Sequence, residues 1–503
     1  MLLSDLSDAI GASSSGNLAV EVDHITNNSK EVRKGSLFFC IPGLKTDGHK
    51  FADEAVQKGA VGLVLERDVP CQCAKLFVND SRVAQAVAGS HLYMNPTSQM
   101  ELVGVTGTNG KTTTTYMIES ILKAARVKAG VLGTINYRYI DKVIPSDMTT
   151  PDALQLQGIF RTMLDEGVES VVMEVSSHAL ELRRVDGCEF DTVILTNITH
   201  DHFDFHKDFD SYFNSKYKLF QIANKKGSKE GEKLAVINAD DQYGLEFVNR
   251  ITYPVVTYGI QYPADYRAYN ITLGPKGSSF DLDVKNGLAT RMHLNMPGRV
   301  NVYNALAAVA YAYERGLDLE IIKKGLRTLT NVPGRFEKVE CGQPFDVIVD
   351  FAHNPDGLAS LLTYCDKRPG SRRIVVFGCE GGKDTTKRSL MGEIAARNAD
   401  ISIITTDNMF SESPEKVAGD IEQGFKRYNK ELNRDYYIIT DRRQAIKTAL
   451  ELAEHGDEVF IAGKGHETSQ FYYDKKIPFD DKEVIKNLLK RVRSFLETAA
   501  AEG

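Results

Sequence analysis

The stretch Gly104-Val105-Thr106-Gly107-Thr108-Asn109-Gly110-Lys111-Thr112-Thr113 decides the reading of this chain. It continues the apolar run Leu102-Val103 and opens a helical pattern at Lys111. Strand, glycine loop, Lys-Thr and helix in that order are the context of a phosphate-binding loop. Glycines let the backbone bend and turn its N–H groups onto phosphate oxygens. Lys111 would neutralise the β and γ phosphates, and the Thr112 hydroxyl would ligate Mg²⁺. The generic spacing G-x-x-x-x-G-K-[ST] puts its first glycine at Val105, so the match is imperfect. Gly107, Thr108, Asn109, Gly110, Lys111, Thr112 and Thr113 are the candidate nucleotide-binding residues.

Outward from this loop, strand-like runs alternate with helical patterns: AGVLG, SVVMEV, DTVILT and LAVIN. That alternation predicts a parallel sheet with helices on both faces. Residues 254–296 alternate more tightly, as in SFDLDV, and predict a small antiparallel appendage. Helices are expected from Asn301 through Ala312 and over 319–328. After Pro333-Gly334, five further runs (FDVIVD, RRIVVFG, ISIITT, YYIIT, DEVFIAG) predict a second, Rossmann-like α/β domain. Residues before Asn95-Pro96 read as a small α/β unit. The expected division is 1–95, 96–332 and 333–503. About three domains also fit a length of 503 residues.

Hydrophobic residues make up 42% and charged residues 26%, which excludes a disordered chain. No run of 18 apolar residues is present, and no secretory signal pattern opens the sequence; a cytoplasmic location is expected. The net charge of −7 argues against nucleic acid or anionic membrane as partners. Seven scattered cysteines complete no zinc pattern and read as reduced thiols.

A nucleotide site needs a metal-holding acid at a nearby strand end, and Glu174 in VVMEVSSH is placed for it. TNITHDHFDFH adds Asn197, His200, Asp201, His202, Asp204 and His206. Alone, that cluster reads as a hydrated loop or a transition-metal site, the H-x-H and H-x-x-x-H spacing weakly favouring the metal; beside a phosphate loop, Mg²⁺ is the simpler reading, although Mg²⁺ favours oxygen ligands.

GTNGKTT, MEVSSHAL and TNITHDHFDFH together resemble the Mur ligases of peptidoglycan synthesis. NVYNALAA from Asn301, PGRFE from Pro333, DFAHNPD from Asp350 and AGKGHET from Ala462 extend the resemblance over all three segments. TTPD at Thr149, KRSLMG and GKGHET look most like the third-step, MurE-type, UDP-N-acetylmuramoyl-tripeptide synthetases. The resemblance implies a three-domain α/β fold and an ATP-dependent amide ligation. ATP would phosphorylate the D-Glu carboxylate of UDP-MurNAc-L-Ala-D-Glu, and a diamino acid amine would attack the acyl phosphate. Phosphorylation is required because hydroxide is a poor leaving group, and the rest is positioning and charge neutralisation.

Carried over by motif, Thr112, Glu174 and His202 look like the Mg²⁺ set and Lys111 like the phosphate lysine. Lys216 matches the family lysine that takes up CO₂ as a carbamate, a change from cation to anion able to hold a second Mg²⁺. Asn301, Asn304, Arg335 and Asp350 would meet ATP, with His353 assisting. Ser29 and the loop containing Leu44, Lys45 and Thr46 resemble uridine-side elements. Thr149, Thr150, Ser176 and Arg184 resemble those holding the pyrophosphate and peptide; Leu182 stands where many members have Gln. Arg388, Asp407, Asn408, Gly463 and Glu467 match the amino-acid pocket. Diaminopimelate enzymes usually carry Asp-Asn-Pro-Arg, whose Arg grips the distal carboxylate. Here the run is Asp407-Asn408-Met409-Phe410, so meso-diaminopimelate and L-lysine both stay open. A monomer is expected. The alternatives weighed are another Mur-type or folylpolyglutamate-type ligase, and a nucleotide-binding switch that performs no ligation.

Overall fold

The computed structural model describes residues 1–43, 46–225, 227–229, 231–285 and 287–490. Leu44 and Lys45 lie outside the described residues. Three α/β domains follow one another, each around its own sheet. The first sheet runs Ser13–Ser15, Ala74–Phe77, Ala60–Leu65, Ser36–Phe39, His24–Thr26, all parallel except its first strand.

The central sheet has 11 strands. Its parallel core runs Val255–Gly259, Leu234–Asn238, Thr192–Leu195, Glu101–Thr106, Ser170–Glu174, Ala129–Leu132. Strands buried on both faces carry uninterrupted apolar side chains, as Ser170–Glu174 does with all five residues buried. The helix Lys111–Ala124 turns Met117, Ile118, Ile121 and Leu122 inward, two neighbouring pairs one turn apart. It packs against Arg299–Glu314 and Leu319–Thr328. Arg299–Glu314 is buried over eleven of its residues and is rich in alanine, which permits close helix approach.

Two expectations are refined here. Val255–Gly259 pairs in parallel with Leu234–Asn238 and so belongs to the main sheet. The antiparallel strands Tyr266–Gly274, Gly277–Val284 and Leu288–Leu294 extend that same sheet by hydrogen bonding. The opposite edge gains a hairpin, Asn136–Tyr139 and Lys142–Pro145, with no counterpart in the sequence reading.

The third sheet runs Glu337–Lys338, Asp346–Asp350, Glu458–Ala462, Arg373–Phe377, Ile401–Ile404, Tyr436–Ile438, parallel except at Glu337–Lys338. Its five longer strands are those expected. A separate hairpin, Ser469–Tyr472 with Lys475–Pro478, follows the GKGHET run. Among the described residues, no helix is long and apolar enough to cross a membrane.

Candidate active site

Three adjacent parallel strands of the central sheet end together, and ligands of such sheets sit beyond those carboxyl ends. Glu101–Thr106 delivers the glycine loop, Ser170–Glu174 ends on Glu174, and Thr192–Leu195 leads into Thr196 and Asn197. The loop is tied to the third strand. Asn109 N–H donates to Asn197 Oδ1 at 2.9 Å, and the Asn109 carbonyl accepts from Thr196 Oγ1 at 2.7 Å. Gly107 has φ 145°. A Cβ there would lie 1.8 Å from Thr196 Oγ1, so only glycine fits the close approach. Gly110 has φ 87°, and a Cβ there would lie 2.4 Å from Asn304 Oδ1. The two asparagines of NVYNALAA thus sit against the loop, with Asn304 Nδ2 donating to Asn301 Oδ1 at 3.2 Å.

Glu174 is 1% exposed and makes no ion pair among the described residues. Its carboxylate accepts from Thr112 Oγ1 at 3.0 Å, Thr134 Oγ1 at 3.0 Å and Thr134 N–H at 2.9 Å. Thr134 Oγ1 also meets Thr149 Oγ1 at 3.0 Å, linking Glu174 to the TTPD run. Thr134 was missed in the sequence because only the adjacency of two strand ends makes it relevant. A buried carboxylate held by hydroxyls, with no cation on it, is a hard-oxygen set that suits Mg²⁺. Nearby, burial first, then the His178, His353 and Lys216 charges, bring the His202 imidazole down to about 3, which leaves it neutral. Neutral imidazole is the ligating form. His202 stands edge-on to His178 at 4.9 Å, and His178 lies on Phe205 at 4.1 Å.

Two lysines converge on one oxygen. Lys111 Nζ donates to the carbonyls of Gly107 and Thr108, each at 2.9 Å, and Lys216 Nζ donates to the same Gly107 carbonyl at 2.9 Å. Lys216 is 1% exposed and lies over the Tyr212 ring at 4.4 Å. Burial and the Lys111 charge hold the Lys216 amine well below the usual lysine range. Burial lowers Lys111 as well.

Arg335 reaches across from the third domain: its Nη2 donates to Thr112 Oγ1 at 3.2 Å and its guanidinium lies 4.3 Å over Phe351. Its Nε is buried with no hydrogen-bond partner among the described residues, and the residue lines a cavity of about 950 Å³. The same cavity takes in Thr149, Thr150, Glu174, Ser176, Arg184 and His202 from the central domain. Asp407, Gly463 and Glu467 reach it from the third domain. Thr150 Oγ1 donates to the Glu174 carbonyl at 2.8 Å, and Arg184 Nη1 to the Thr150 carbonyl at 2.9 Å. The Ser176 hydroxyl accepts from Ala179 N–H and so caps a short helix.

Asn301, Asn304, Arg335 and Asp350 line a second, adjoining cleft of about 100 Å³. Asp350 accepts from Phe336 N–H at 2.6 Å and Ala352 N–H at 2.8 Å, and burial raises its carboxyl.

Other candidates stand apart from the cavity. Lys216 lies behind the glycine loop, and Ser29 and Thr46 are in the first domain, where Thr46 offers its carbonyl to Gly43 N–H. Arg388 is fully buried and already claimed: Nη2 meets Glu412 at 2.6 Å and Nη1 meets Asp420 at 2.8 Å. Asn408 accepts from Lys464 Nζ at 3.1 Å and donates to Glu467 at 3.2 Å. Phe410 stacks on Phe471 at 5.5 Å and 23°. Of the TNITHDHFDFH side chains, Asp204 is exposed. His200 meets Asp384 and Thr386 of the third domain at 3.1 Å and 2.9 Å. Among the described residues, no three His, Cys, Asp or Glu are grouped to hold a metal by themselves.

Profiles of known families match the chain in three blocks. These are the Mur ligase family catalytic domain over 21–95, the Mur ligase middle domain over 105–312 and the Mur ligase glutamate ligase domain over 334–465. A UDP-N-acetylmuramoyl-L-alanyl-D-glutamate–2,6-diaminopimelate ligase of Clostridium acetobutylicum is 43% identical over 95% of this chain and 96% of its own length. The enzyme of that name from Geobacillus thermodenitrificans is 42% identical over 95% of each. A solved structure with the same name superposes with a TM-score of 0.69 at 27% identity, covering 98% of this chain and 99% of the other. With near-complete coverage at this identity, and with the loop, acid and lysines in one site, the chain belongs to the Mur ligase family.

Proposed function

We propose that the protein uses ATP and Mg²⁺ to join a diamino acid to the D-Glu carboxylate of UDP-MurNAc-L-Ala-D-Glu. The observation that carries this reading is the shared cavity: the glycine loop, Glu174 and Arg335 open into the same space as Asp407, Gly463 and Glu467. A donor carboxylate, an ATP γ-phosphate and an acceptor amine can meet there without leaving the protein. The division of labour is residues 1–95 for the uridine end, 96–332 for ATP and 333–503 for the amino acid. Ser29 and the Leu44-Lys45-Thr46 loop serve the first role. The protein works as a monomer in the cytoplasm, and its surface charge of −7 supports a small-molecule rather than a nucleic-acid partner.

The glycine-loop N–H groups and Lys111 cradle the phosphates, and Asn301, Asn304 and Asp350 hold the nucleoside end. Arg335, which lines both clefts, would supply positive charge to the ATP phosphates. Thr112 and Glu174, with His202, would hold Mg²⁺, which supplies positive charge against the transferring phosphoryl group. Thr149, Thr150, Ser176 and Arg184 keep the peptide carboxylate in line. Asp407, Asn408, Gly463 and Glu467 face the incoming amine. Most of the acceleration is orientation and charge neutralisation in a water-poor site.

Lys216 acts as its carbamate. Only a neutral amine adds to CO₂, and the surroundings of Lys216 favour the neutral form. The neutral Lys216 amine shares one carbonyl oxygen with Lys111; carbamylation would place a negative charge beside the Lys111 cation.

The diamino acid is 2,6-diaminopimelate on the names of the relatives. L-Lysine is the second reading. Phe410 offers no charge for a distal carboxylate, and Arg388 is neutralised by Glu412 and Asp420. One experiment tests both: incubate with ATP, Mg²⁺, UDP-MurNAc-L-Ala-D-Glu and each diamino acid, and identify the nucleotide product by mass. A tripeptide adduct is expected. ADP release with folate and L-Glu, and none with the UDP-dipeptide, would refute the assignment.

A further inference from the structure

Asn354 caps the helix Pro355–Leu362: its Oδ1 accepts from Gly357 N–H at 2.8 Å. Capping uses only that oxygen, and Ser or Asp would cap as well. Yet the residue is 1% exposed and its amide nitrogen is fully engaged. Nδ2 donates to Asn109 Oδ1 at 3.0 Å and to Asp201 Oδ2 at 3.0 Å. Asn109 belongs to the glycine loop, 245 residues away, and Asp201 precedes His202. One buried amide of the third domain therefore fixes both the phosphate loop and the Glu174-side histidine loop of the central domain.

From the third domain, among the described residues, Asn109 has no other side-chain partner and Asp201 has only the longer His353 contact besides. Through its backbone Asn109 is held by Thr196 and Asn197, but its side chain meets only Asn354 among the described residues. Asp201 is 3% exposed, and Nδ2 of Asn354 is its hydrogen-bond donor from the third domain. His353, the next residue, stands 3.7 Å from the same carboxylate. If the third domain moved away, both loops would lose a buried polar partner, and an unpaired buried group costs about 1–3 kcal/mol.

We infer that Asn354 is a positioning residue that locks the glycine loop and the Asp201-His202 loop into register when the third domain docks. It senses docking through its amide, by the two Nδ2 hydrogen bonds and the longer 3.4 Å bond that Asn109 Nδ2 donates to its Oδ1. The inference rests on the ligase reading above for its kinetic consequence, and not for its structural one.

The test uses Asn354→Ser and Asn354→Asp in the full-length protein. Both keep a helix-capping oxygen and so keep the fold; neither carries the amide donor. With the UDP-dipeptide and the accepted diamino acid, kcat should fall about tenfold to a hundredfold, as misplacement near 1 Å does, while KM for ATP stays within about twofold. The second readout is amide hydrogen exchange of residues 107–110 and 199–203 with a non-hydrolysable ATP analogue. Wild type should be protected there and both variants should exchange at least about tenfold faster, with exchange in the first-domain strands unchanged. Wild-type kcat and wild-type protection in both variants would overturn the inference and leave Asn354 a helix cap. Absence of turnover in the wild-type protein, with exchange still dependent on Asn354, would instead overturn the ligase reading and leave the lock standing.

Discussion

Lys111 and Lys216 share the Gly107 carbonyl, and a protein keeps two buried amines there only if one of them loses its positive charge. The proposed carbamate would resolve that conflict; on that proposal, removing Lys216 should remove activity and leave folding intact. Lys216→Ala is expected to lose about 100-fold or more in kcat, the scale on which a preorganised charged group counts. Short carboxylates added to the assay should restore part of it, and full activity in the variant without them would sink the carbamate role. The Phe410 position carries a second test. Arg at 410 would meet the same backbone demand (φ 46°) and would place a guanidinium where Phe410 now stacks on Phe471. Phe410→Arg should raise the kcat/KM ratio of 2,6-diaminopimelate over L-lysine by about tenfold to a hundredfold, since a bidentate Arg–carboxylate contact is worth that in discrimination. An unchanged ratio would place the distal end of the amino acid elsewhere.

The helices Thr386–Asn398 and Pro414–Arg427 are pinned by Arg388, which meets Glu412 before the second helix and Asp420 within it. The Arg388 guanidinium, then Gly382 N–H and Lys416, hold the Glu412 carboxyl well below the usual carboxylate range. A carboxyl whose folded value is depressed stabilises the fold above its unfolded value, near pH 4.3, and loses that contribution as pH falls toward the folded value. Glu412→Gln should therefore cost about 3 kcal/mol at pH 7, and the gap from wild type should shrink below about pH 4. Urea unfolding at both pH values measures it; a gap independent of pH would show that the charge is not the source. The Arg388 case also shows where the sequence stops being informative. The arginine and its motif are legible, but the two carboxylates that claim it are set by how two helices pack. Buried parallel strands such as Ser170–Glu174 are legible because burial on both faces leaves an unbroken apolar run. The edge hairpin Asn136–Tyr139 and Lys142–Pro145 is not, since its second strand is exposed throughout and has no pattern to read. Thr134 and Asn354 stay invisible for a related reason. Each is a common polar residue whose partners lie 40 and 245 residues away.

At the scale of the whole molecule, the charge of −7 still leaves cations where central and third domains meet, interleaved with carboxylates. Lys111, Arg184, Arg335, Lys383 and Lys476 line the cavity of about 950 Å³ together with six carboxylates, and two of these cations bridge the domains, Arg335 to Thr112 and Lys383 to Asp204. A polyanion bound there touches both domains, so its binding energy is shared between them. A ligand at 100 times its Kd stabilises what it binds by about 2.7 kcal/mol. A non-hydrolysable ATP analogue with Mg²⁺ should therefore slow hydrogen exchange in the third-domain strands Asp346–Asp350 and Glu458–Ala462 as well as in the glycine loop. Arg335→Ala should separate the two responses. The glycine loop and Lys111 remain, so protection of the central domain should persist, while protection of the third domain should drop by about tenfold or more. Equal loss in both domains would mean that Arg335 serves the nucleotide alone; no loss in either would mean that closure is carried by the protein–protein contacts of Asn354 and His200 without help from the bound phosphate.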